Sequence, residues 1–129
     1  MGESCSNRKL HILVAEDDPT IREIFHEFLE RLGHQVTMTP DGWQAMALFN
    51  KLASQLDILI TDICMPHVNG LELIQHVRRH HATLPIIAMS GYSSQALQNE
   101  IACKQIPVLT KPINFNDLKK RLQVLQTAI

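Results

Sequence analysis

Residues 11–19 read HILVAEDDP, in which a strand-length apolar run is followed directly by three carboxylates and a proline. Two further runs of this kind are DILIT at residues 57–61 and PIIAM at residues 85–89. A strand with one face in water alternates apolar and polar residues, whereas parallel strands covered on both faces are apolar almost throughout. These runs therefore predict a parallel β-sheet with helices packed on both of its sides.

Segments with the apolar period of helices alternate with these runs, which predicts a single α/β domain. Short, right-handed connections favour an open, doubly wound sheet with the strand order 2-1-3-4-5. The predicted strands cover residues 10–15, 35–39, 58–61, 85–89 and 108–110.

Capping residues and apolar stripes mark the predicted helices. The first helix follows Asp18 and Pro19, residue types that favour a helix cap and a first helical position, and it ends at Gly33. Its apolar stripe comprises Ile21, Ile24, Phe25, Phe28, Leu29 and Leu32. The later helices are predicted from Asp41, from Asn69, over residues 94–104 and from Asn116, and the fourth is expected to be the most mobile.

Chemically useful side chains stand where the predicted strands end: Glu16 and Asp17, Asp62, Ser90 and Lys111. In doubly wound sheets, ligands bind beyond the carboxyl ends of the strands, so these side chains are expected to converge on one edge. Three carboxylates at one crevice would repel one another by several kcal/mol at reduced dielectric, which calls for a cation. Hard oxygen ligands, few in number, favour Mg²⁺.

The charges of this predicted site balance. Glu16, Asp17 and Asp62 contribute −3, whereas Mg²⁺ and Lys111 together contribute +3, and Ser90 adds a neutral donor. A carboxylate nucleophile surrounded by a metal ion, an ammonium and a hydroxyl is the arrangement that phosphoryl transfer requires.

Four dispersed motifs resemble, in order and spacing, the receiver (CheY-like) domains of two-component response regulators. They are ILVAEDDP at 12–19, LITDICMPHVNG at 59–70, IIAMSGY at 86–92 and LTKPI at 109–113. The resemblance extends over about residues 10–125 and implies a flavodoxin-like three-layer sandwich. It places a receiver domain at residues 10–127, after an N-terminal extension at residues 1–9 that is expected to be flexible.

The resemblance implies a signalling domain rather than an enzyme with turnover. A sensor histidine kinase or a phosphotransfer protein would donate the phosphoryl group, slow hydrolysis would follow, and the fourth helix, fifth strand and fifth helix would shift. The implied roles are Asp62 as phosphoacceptor, Glu16, Asp17 and the Cys64 backbone carbonyl as further Mg²⁺ ligands, Ser90 as switch hydroxyl and Lys111 as phosphoryl contact, with a cis bond between Lys111 and Pro112.

Four positions near the motifs modulate this expectation. Val108 stands where the family commonly has an aromatic residue, so a rotating aromatic gate is expected to be absent there. Cys64 and Tyr92 follow the acceptor and the switch hydroxyl by two residues, and neither is a strong acid or base, so a longer-lived aspartyl phosphate is expected. Gly91 would leave room for the phosphodonor. A partly buried filler at Cys64 and an exposed loop aromatic at Tyr92 are equally good interpretations.

Two other functions fit parts of the pattern. A pseudo-receiver would be a pure interaction module, but all five chemical positions carry competent side chains. An aspartyl-nucleophile, Mg²⁺-dependent phosphatase would need a second acid two residues after the nucleophile, where Cys64 stands. Trp43 and Met46 are interpreted as helix packing, and residues 76–81, rich in histidine and arginine, as the solvated cationic end of the third helix.

Composition limits the partners and the compartment. Of the 129 residues, 45% are hydrophobic and 19% are charged, which excludes wholesale disorder. A formal net charge of −1 favours neither nucleic acid nor an anionic membrane as a partner. Three cysteines without metal-site spacing suit a reducing cytoplasm. The chain is expected to be a monomer by default, and dimerisation through the fourth and fifth helices is left open.

Overall fold

The strands form one parallel sheet with the order β2-β1-β3-β4-β5 in a computed structural model that describes residues 8–65, 67–91 and 95–127. The strands are β1 (His11–Ala15), β2 (Gln35–Thr39), β3 (Ile58–Asp62), β4 (Ile86–Ser90) and β5 (Val108–Thr110). The predicted fold class and strand order are therefore confirmed. Asp62 and Ser90 were expected just after their strands but are the last residues within them, so ladder hydrogen bonding fixes their backbones.

Five α-helices connect and flank the strands. They are α1 (Pro19–Arg31), α2 (Gly42–Leu52), α3 (Gly70–His80), α4 (Gln95–Ala102) and α5 (Phe115–Thr127), and a short 3₁₀ turn at Ala53–Gln55 follows α2. The predicted caps are present: Asp18 accepts from Thr20 N, and Asn69 forms a capping box with Glu72.

Two helix boundaries differ from the prediction. The α5 helix begins at Phe115 because the side chain of Asn114 accepts a hydrogen bond from Asp117 N (3.1 Å) and caps the helix one residue earlier than expected. The α4 helix ends at Ala102, and the chain turns at Gln105, whose φ of 63° is incompatible with a continued helix. Ser94, the expected start of α4, lies outside the described residues.

Alternate strand residues face two separate cores, as expected for a sheet covered on both sides. Leu13 and Leu59 belong to the core beneath α2, α3 and α4. Ile12, Ile58 and Ile60 belong to the core beneath α1 and α5. Because helices cover both faces of the sheet, side chains that bind ligands can reach solvent only at its edges.

Several side chains expected inside, or in solvent, lie elsewhere. Ile24 was assigned to the apolar stripe but is 47% exposed, because it borders a cavity of about 150 Å³ between α1 and the loop after β5. Trp43 was interpreted as helix packing but is 60% exposed and stacks on His67, with ring centroids 4.4 Å apart. His76 was placed on a solvated face but is half-buried, with Nε2 2.8 Å from Asn50 Oδ1.

The chain segment before β1 is attached to the domain at Arg8. Its guanidinium donates to Asp57 Oδ1 (3.1 Å) and to the carbonyl oxygen of Leu125 (3.2 Å), which links it to the start of β3 and the end of α5. Residues 1–7 of the proposed extension lie outside the described residues. Among the helices described, none combines the length and apolar character that crossing a membrane would require.

Candidate functional site

The carboxyl ends of the strands bring distant parts of the chain to one edge of the sheet. Asp62 pairs in register with Met89, and Ser90 pairs with Thr110, the last residue of β5. Lys111 follows β5 directly, and its backbone N–H donates to the carbonyl oxygen of Ser90 (2.8 Å). Because the strands are parallel, residues that follow their ends are neighbours in space although they are far apart in sequence.

One ammonium group joins two carboxylates at this edge. Lys111 Nζ lies 2.8 Å from Glu16 Oε1 and 2.9 Å from Asp62 Oδ2. The side chains of Glu16, Asp62 and Lys111 are only 1%, 7% and 19% exposed, respectively. Water screens these charges poorly, so each carboxylate depends on the ammonium for compensation.

A third carboxylate completes an acidic cluster. Glu16, Asp17 and Asp62 each offer a carboxylate oxygen, and these oxygens lie within 4.8 Å of one another. Lys111 balances only one of the three negative charges, which leaves about two for a divalent cation to neutralise. All donors are hard oxygens, and two of the residues are buried, so the donor set fits Mg²⁺.

Burial and pairing shift both members of the closest ion pair. Burial raises the pKa of the Glu16 carboxyl, and hydrogen bonds from Lys111 and from the Asp18 backbone oppose this effect only in part. The pKa of Lys111 is raised: burial alone would lower it, but the hydrogen bonds and charges of Glu16 and Asp62 outweigh that effect. Lys111 therefore stays cationic, whereas Glu16 accepts a proton more readily than an exposed glutamate.

The loop between β1 and α1 holds Glu16 and Asp17 at fixed positions. Glu16 N donates to Thr39 O (3.0 Å), and Glu16 Oε2 accepts from Asp18 N (3.0 Å). Arg22 in α1 donates to the backbone carbonyls of Glu16 (2.9 Å) and Asp17 (3.0 Å). The sequence reasoning did not single out Arg22, although a long cationic side chain in the second turn of a helix leans back toward the preceding loop.

Glycine at position 70 lets α3 approach the end of β3. A β-carbon at Gly70 would overlap the carbonyl oxygen of Asp62. The backbone N–H of Gly70 donates to the carbonyl oxygen of Ile63 (2.7 Å). This residue too was missed, although a glycine directly after the capping Asn69 marks a close backbone approach.

Two of the remaining predicted positions, Cys64 and Gly91, line an open cavity of about 550 Å³, together with Ile21, Asp62, Lys111 and Pro112. The Cys64 side chain is exposed, and its backbone N–H lies 3.4 Å from Asp62 Oδ1. The Ser90 residue is buried. Val108 is half-buried and packs against the core beneath α2, α3 and α4, away from this edge. The bond between Lys111 and Pro112 is cis, and Tyr92 lies outside the described residues.

Fold and site together define a doubly wound α/β domain with an acidic cluster and a lysine beyond its strand ends. The family model described as the response regulator receiver domain matches residues 12–123, and the chain belongs to this family.

Similar proteins come from distant organisms. The chain is 35% identical to the 3′,5′-cyclic-nucleotide phosphodiesterase regA of Dictyostelium discoideum, over 99% of the chain and 17% of the relative. It is 37% identical to the sensor protein EvgS of Escherichia coli K12, over 91% of the chain and 10% of the relative. The structure of chemotaxis protein CheY4 from Vibrio cholerae superposes with a TM-score of 0.79 at 27% identity, covering 92% of this chain and 99% of that one.

The chain spans less than a fifth of these two curated relatives. Their shared part is therefore the receiver domain, which occurs in sensor proteins as well as in a phosphodiesterase.

Proposed function

We propose that this receiver domain accepts a phosphoryl group on Asp62 in a Mg²⁺-dependent reaction and transmits the change to a protein partner. One observation carries the proposal: Lys111 Nζ contacts both Asp62 and Glu16 within 2.9 Å, beside the third carboxylate of Asp17. This geometry supports roles for Asp62 as the nucleophile, Lys111 as the phosphoryl-binding ammonium and the carboxylates as cation ligands.

The donor is a phosphohistidine of a sensor histidine kinase or phosphotransfer protein. Relatives named as sensor proteins and sensor histidine kinases support this partner. An oxygen of Asp62 forms the new bond to phosphorus while the bond to the imidazole nitrogen of the donor breaks, and the electron pair leaves with the imidazole. The Lys111 ammonium pairs with Asp62 before the attack and then with a phosphoryl oxygen.

Glu16, Asp17, Asp62 and the backbone carbonyl of Cys64 would hold the Mg²⁺ ion. When bound, it neutralises the carboxylates and the transferring oxygens. Ser90, at the end of β4, would donate a hydrogen bond from its hydroxyl to the phosphoryl group. This bond would couple the site to α4, β5 and α5. Val108 offers no ring that could rotate as part of this change.

The cavity beside the acceptor suggests how long the phosphoryl group persists. Cys64 and Gly91 line this cavity, and neither carries a carboxylate or an amide that could orient an attacking water. Replacing Cys64 with Asn and Tyr92 with Glu should speed hydrolysis of the aspartyl phosphate, because polar side chains there can orient water. Loss of the phosphoryl mass over time measures this, and an unchanged lifetime would contradict the assignment.

The decisive test is the mass of the intact protein after treatment with acetyl phosphate. We expect a gain of about 80 Da in the presence of Mg²⁺, little gain with a chelator and none for Asp62→Asn. A true phosphatase would turn over phosphate without retaining the adduct. A pseudo-receiver would gain no mass under any of these conditions, and that result would refute the proposal.

We further propose that the receiver domain comprises residues 10–127. We also propose that the protein is cytoplasmic and that it is a monomer by default. Size-exclusion chromatography with light scattering before and after phosphorylation tests the oligomeric state. A dimer in the unphosphorylated protein would contradict the last assignment.

A further inference from the structure

Arg22 reaches from α1 back to the acidic loop that precedes the helix. Its Nη1 donates to the carbonyl oxygen of Glu16 at 2.9 Å and to that of Asp17 at 3.0 Å. A terminal guanidinium nitrogen carries two hydrogens, so one nitrogen can serve both carbonyls. Helical side chains lean toward the N-terminus of their helix, and α1 therefore directs Arg22 onto this loop.

The two accepting carbonyls flank a single α-carbon. The carbonyl of Glu16 belongs to the peptide before Asp17, and the carbonyl of Asp17 belongs to the peptide after it. Fixing both peptides fixes the φ and ψ angles of Asp17 and so directs its Cα–Cβ bond. Asp17 is the exposed member of the acidic cluster, whereas Glu16 and Asp62 are buried. The residue with the most freedom to lose on cation binding is thus the one whose backbone Arg22 holds.

We infer that Arg22 is a positioning residue that preorganises Asp17, and with it the three-carboxylate cluster, for a divalent cation. The inference rests on the proposed function, because it gives Arg22 a part in the cation site which that function needs. A ligand that is oriented before binding loses less conformational freedom, and partners that orient metal ligands commonly raise metal affinity by about tenfold or more.

The test is a titration of the full chain with Mg²⁺, in which the chemical shifts of the backbone amides are monitored by NMR to obtain the Kd. Arg22→Met keeps an apolar stem but removes the donors, and we expect it to raise the Kd for Mg²⁺ about tenfold. Arg22→Lys should recover part of the affinity, because an ammonium can still donate to these carbonyls. The Mg²⁺ concentration that gives half of the maximal rate of phosphorylation by acetyl phosphate should rise by a similar factor of about ten in Arg22→Met, since Arg22 acts through cation binding.

Arg31→Met is the matched control, because Arg31 lies on the same helix, is 77% exposed and pairs with Glu27. It loses the same charge but should leave the Kd unchanged. A second readout needs no metal: with a chelator present, hydrogen exchange at the amides of Asp17 and Asp18 should accelerate in Arg22→Met and not in Arg31→Met.

The outcomes separate the inference from the function beneath it. If the original protein shows no Mg²⁺ binding, both the proposed function and this inference fall. If it binds Mg²⁺ but Arg22→Met binds equally well, the inference alone is overturned. A drop in thermal stability with unchanged Mg²⁺ affinity would identify Arg22 as purely structural and would also overturn it.

Discussion

Lys111 decides the charge balance of the candidate site at the scale of single residues. It contacts two carboxylates that are almost fully removed from water. Because water cannot solvate these carboxylates, their negative charge is compensated mainly by the ammonium of Lys111. Removing one partner of a buried ion pair leaves an uncompensated charge, which costs far more than the net stabilisation of the intact pair. We therefore expect the lysine to stabilise the fold of the metal-free domain, besides its proposed contact with the phosphoryl group.

Lys111→Met should lower the free energy of unfolding at pH 7, without metal, by roughly 3–5 kcal/mol. The loss should shrink toward pH 5, because Glu16, whose pKa is already raised, then takes up a proton. Urea denaturation at both pH values measures the effect. Lys119→Met, an exposed substitution on α5, is the control and should change stability little. Equal losses at the two pH values would contradict this account.

The convergence of Glu16, Asp17, Asp62 and Lys111 could be predicted because it follows from strand ends alone. Arg22 and Gly70 could not be predicted in the same way. Whether an arginine reaches a loop depends on its rotamer, and whether a glycine is required depends on how closely two backbones approach. Those distances arise only from the packed structure.

At the scale of elements, the contact between α3 and β3 sets the position of Asp62. The first residue of α3 lies directly against the carbonyl oxygen of Asp62 and the α-carbon of Ile63. Both neighbours are backbone atoms within or next to a central strand, so they cannot move aside without disturbing the sheet ladder. The capping box of Asn69 and Glu72 fixes the helix from the other side.

Gly70→Ala should therefore destabilise the fold by about 1–3 kcal/mol, the usual cost of overpacking a site that cannot relax. Gly91→Ala is the matched control, since its β-carbon would meet Lys111 Cδ at an ordinary 3.8 Å. Chemical denaturation of both variants measures the difference. The close approach would have no energetic meaning if the two variants were equally stable.

The starts of β1 and β2 are joined through a buried histidine. His34 Nδ1 accepts a hydrogen bond from Leu10 N (3.1 Å), so protonation at this nitrogen would remove the acceptor. Burial lowers the pKa of His34 below its usual 6.5, although the charge of Asp57 opposes this shift. A lowered pKa contributes stability that is present above pH 6.5 and is lost as the pH falls through the lowered value.

His34→Asn keeps an acceptor at the place of Nδ1 but cannot titrate. We expect it to reduce the fall in stability between about pH 7.5 and about pH 5, and thermal unfolding across this range measures that fall. His76 contributes in the same direction, since burial also lowers its pKa, and the fall should not vanish. A curve for His34→Asn identical to that of the original protein would refute the role assigned to His34.

At the scale of the whole molecule, the pattern of apolar runs was sufficient for the fold. Runs such as residues 58–60 and 86–89 are buried on both faces, which only a sheet between two helical layers provides. The same reasoning failed for Trp43 and Ile24, because apolar periodicity does not tell which members of a stripe face a cavity or a neighbouring loop. Ile24 borders a cavity that is also lined by Lys111 of the candidate site. Trp43 stacks on His67, in the loop between β3 and α3.

The acidic cluster should link the stability of the whole domain to pH and to Mg²⁺. Because the folded-state pKa of Glu16 is raised above the usual 4.5, its contribution is full below pH 4.5 and is lost as the pH rises through the raised value. The metal-free protein should therefore lose this contribution of Glu16 as the pH rises from about 5 to about 7.5, and Mg²⁺ should offset the loss at neutral pH, where Glu16 is ionised. Thermal unfolding at about pH 5 and about pH 7.5, with Mg²⁺ or a chelator, measures both effects.

Glu16→Gln removes the titrating group but keeps a side chain that can accept from Lys111, so this variant should show a smaller Mg²⁺-dependent gain and a weaker loss with rising pH. A Mg²⁺-dependent gain as large at pH 5 as at pH 7.5 would separate cation binding from ionisation of Glu16 and would contradict the electrostatic account of the site.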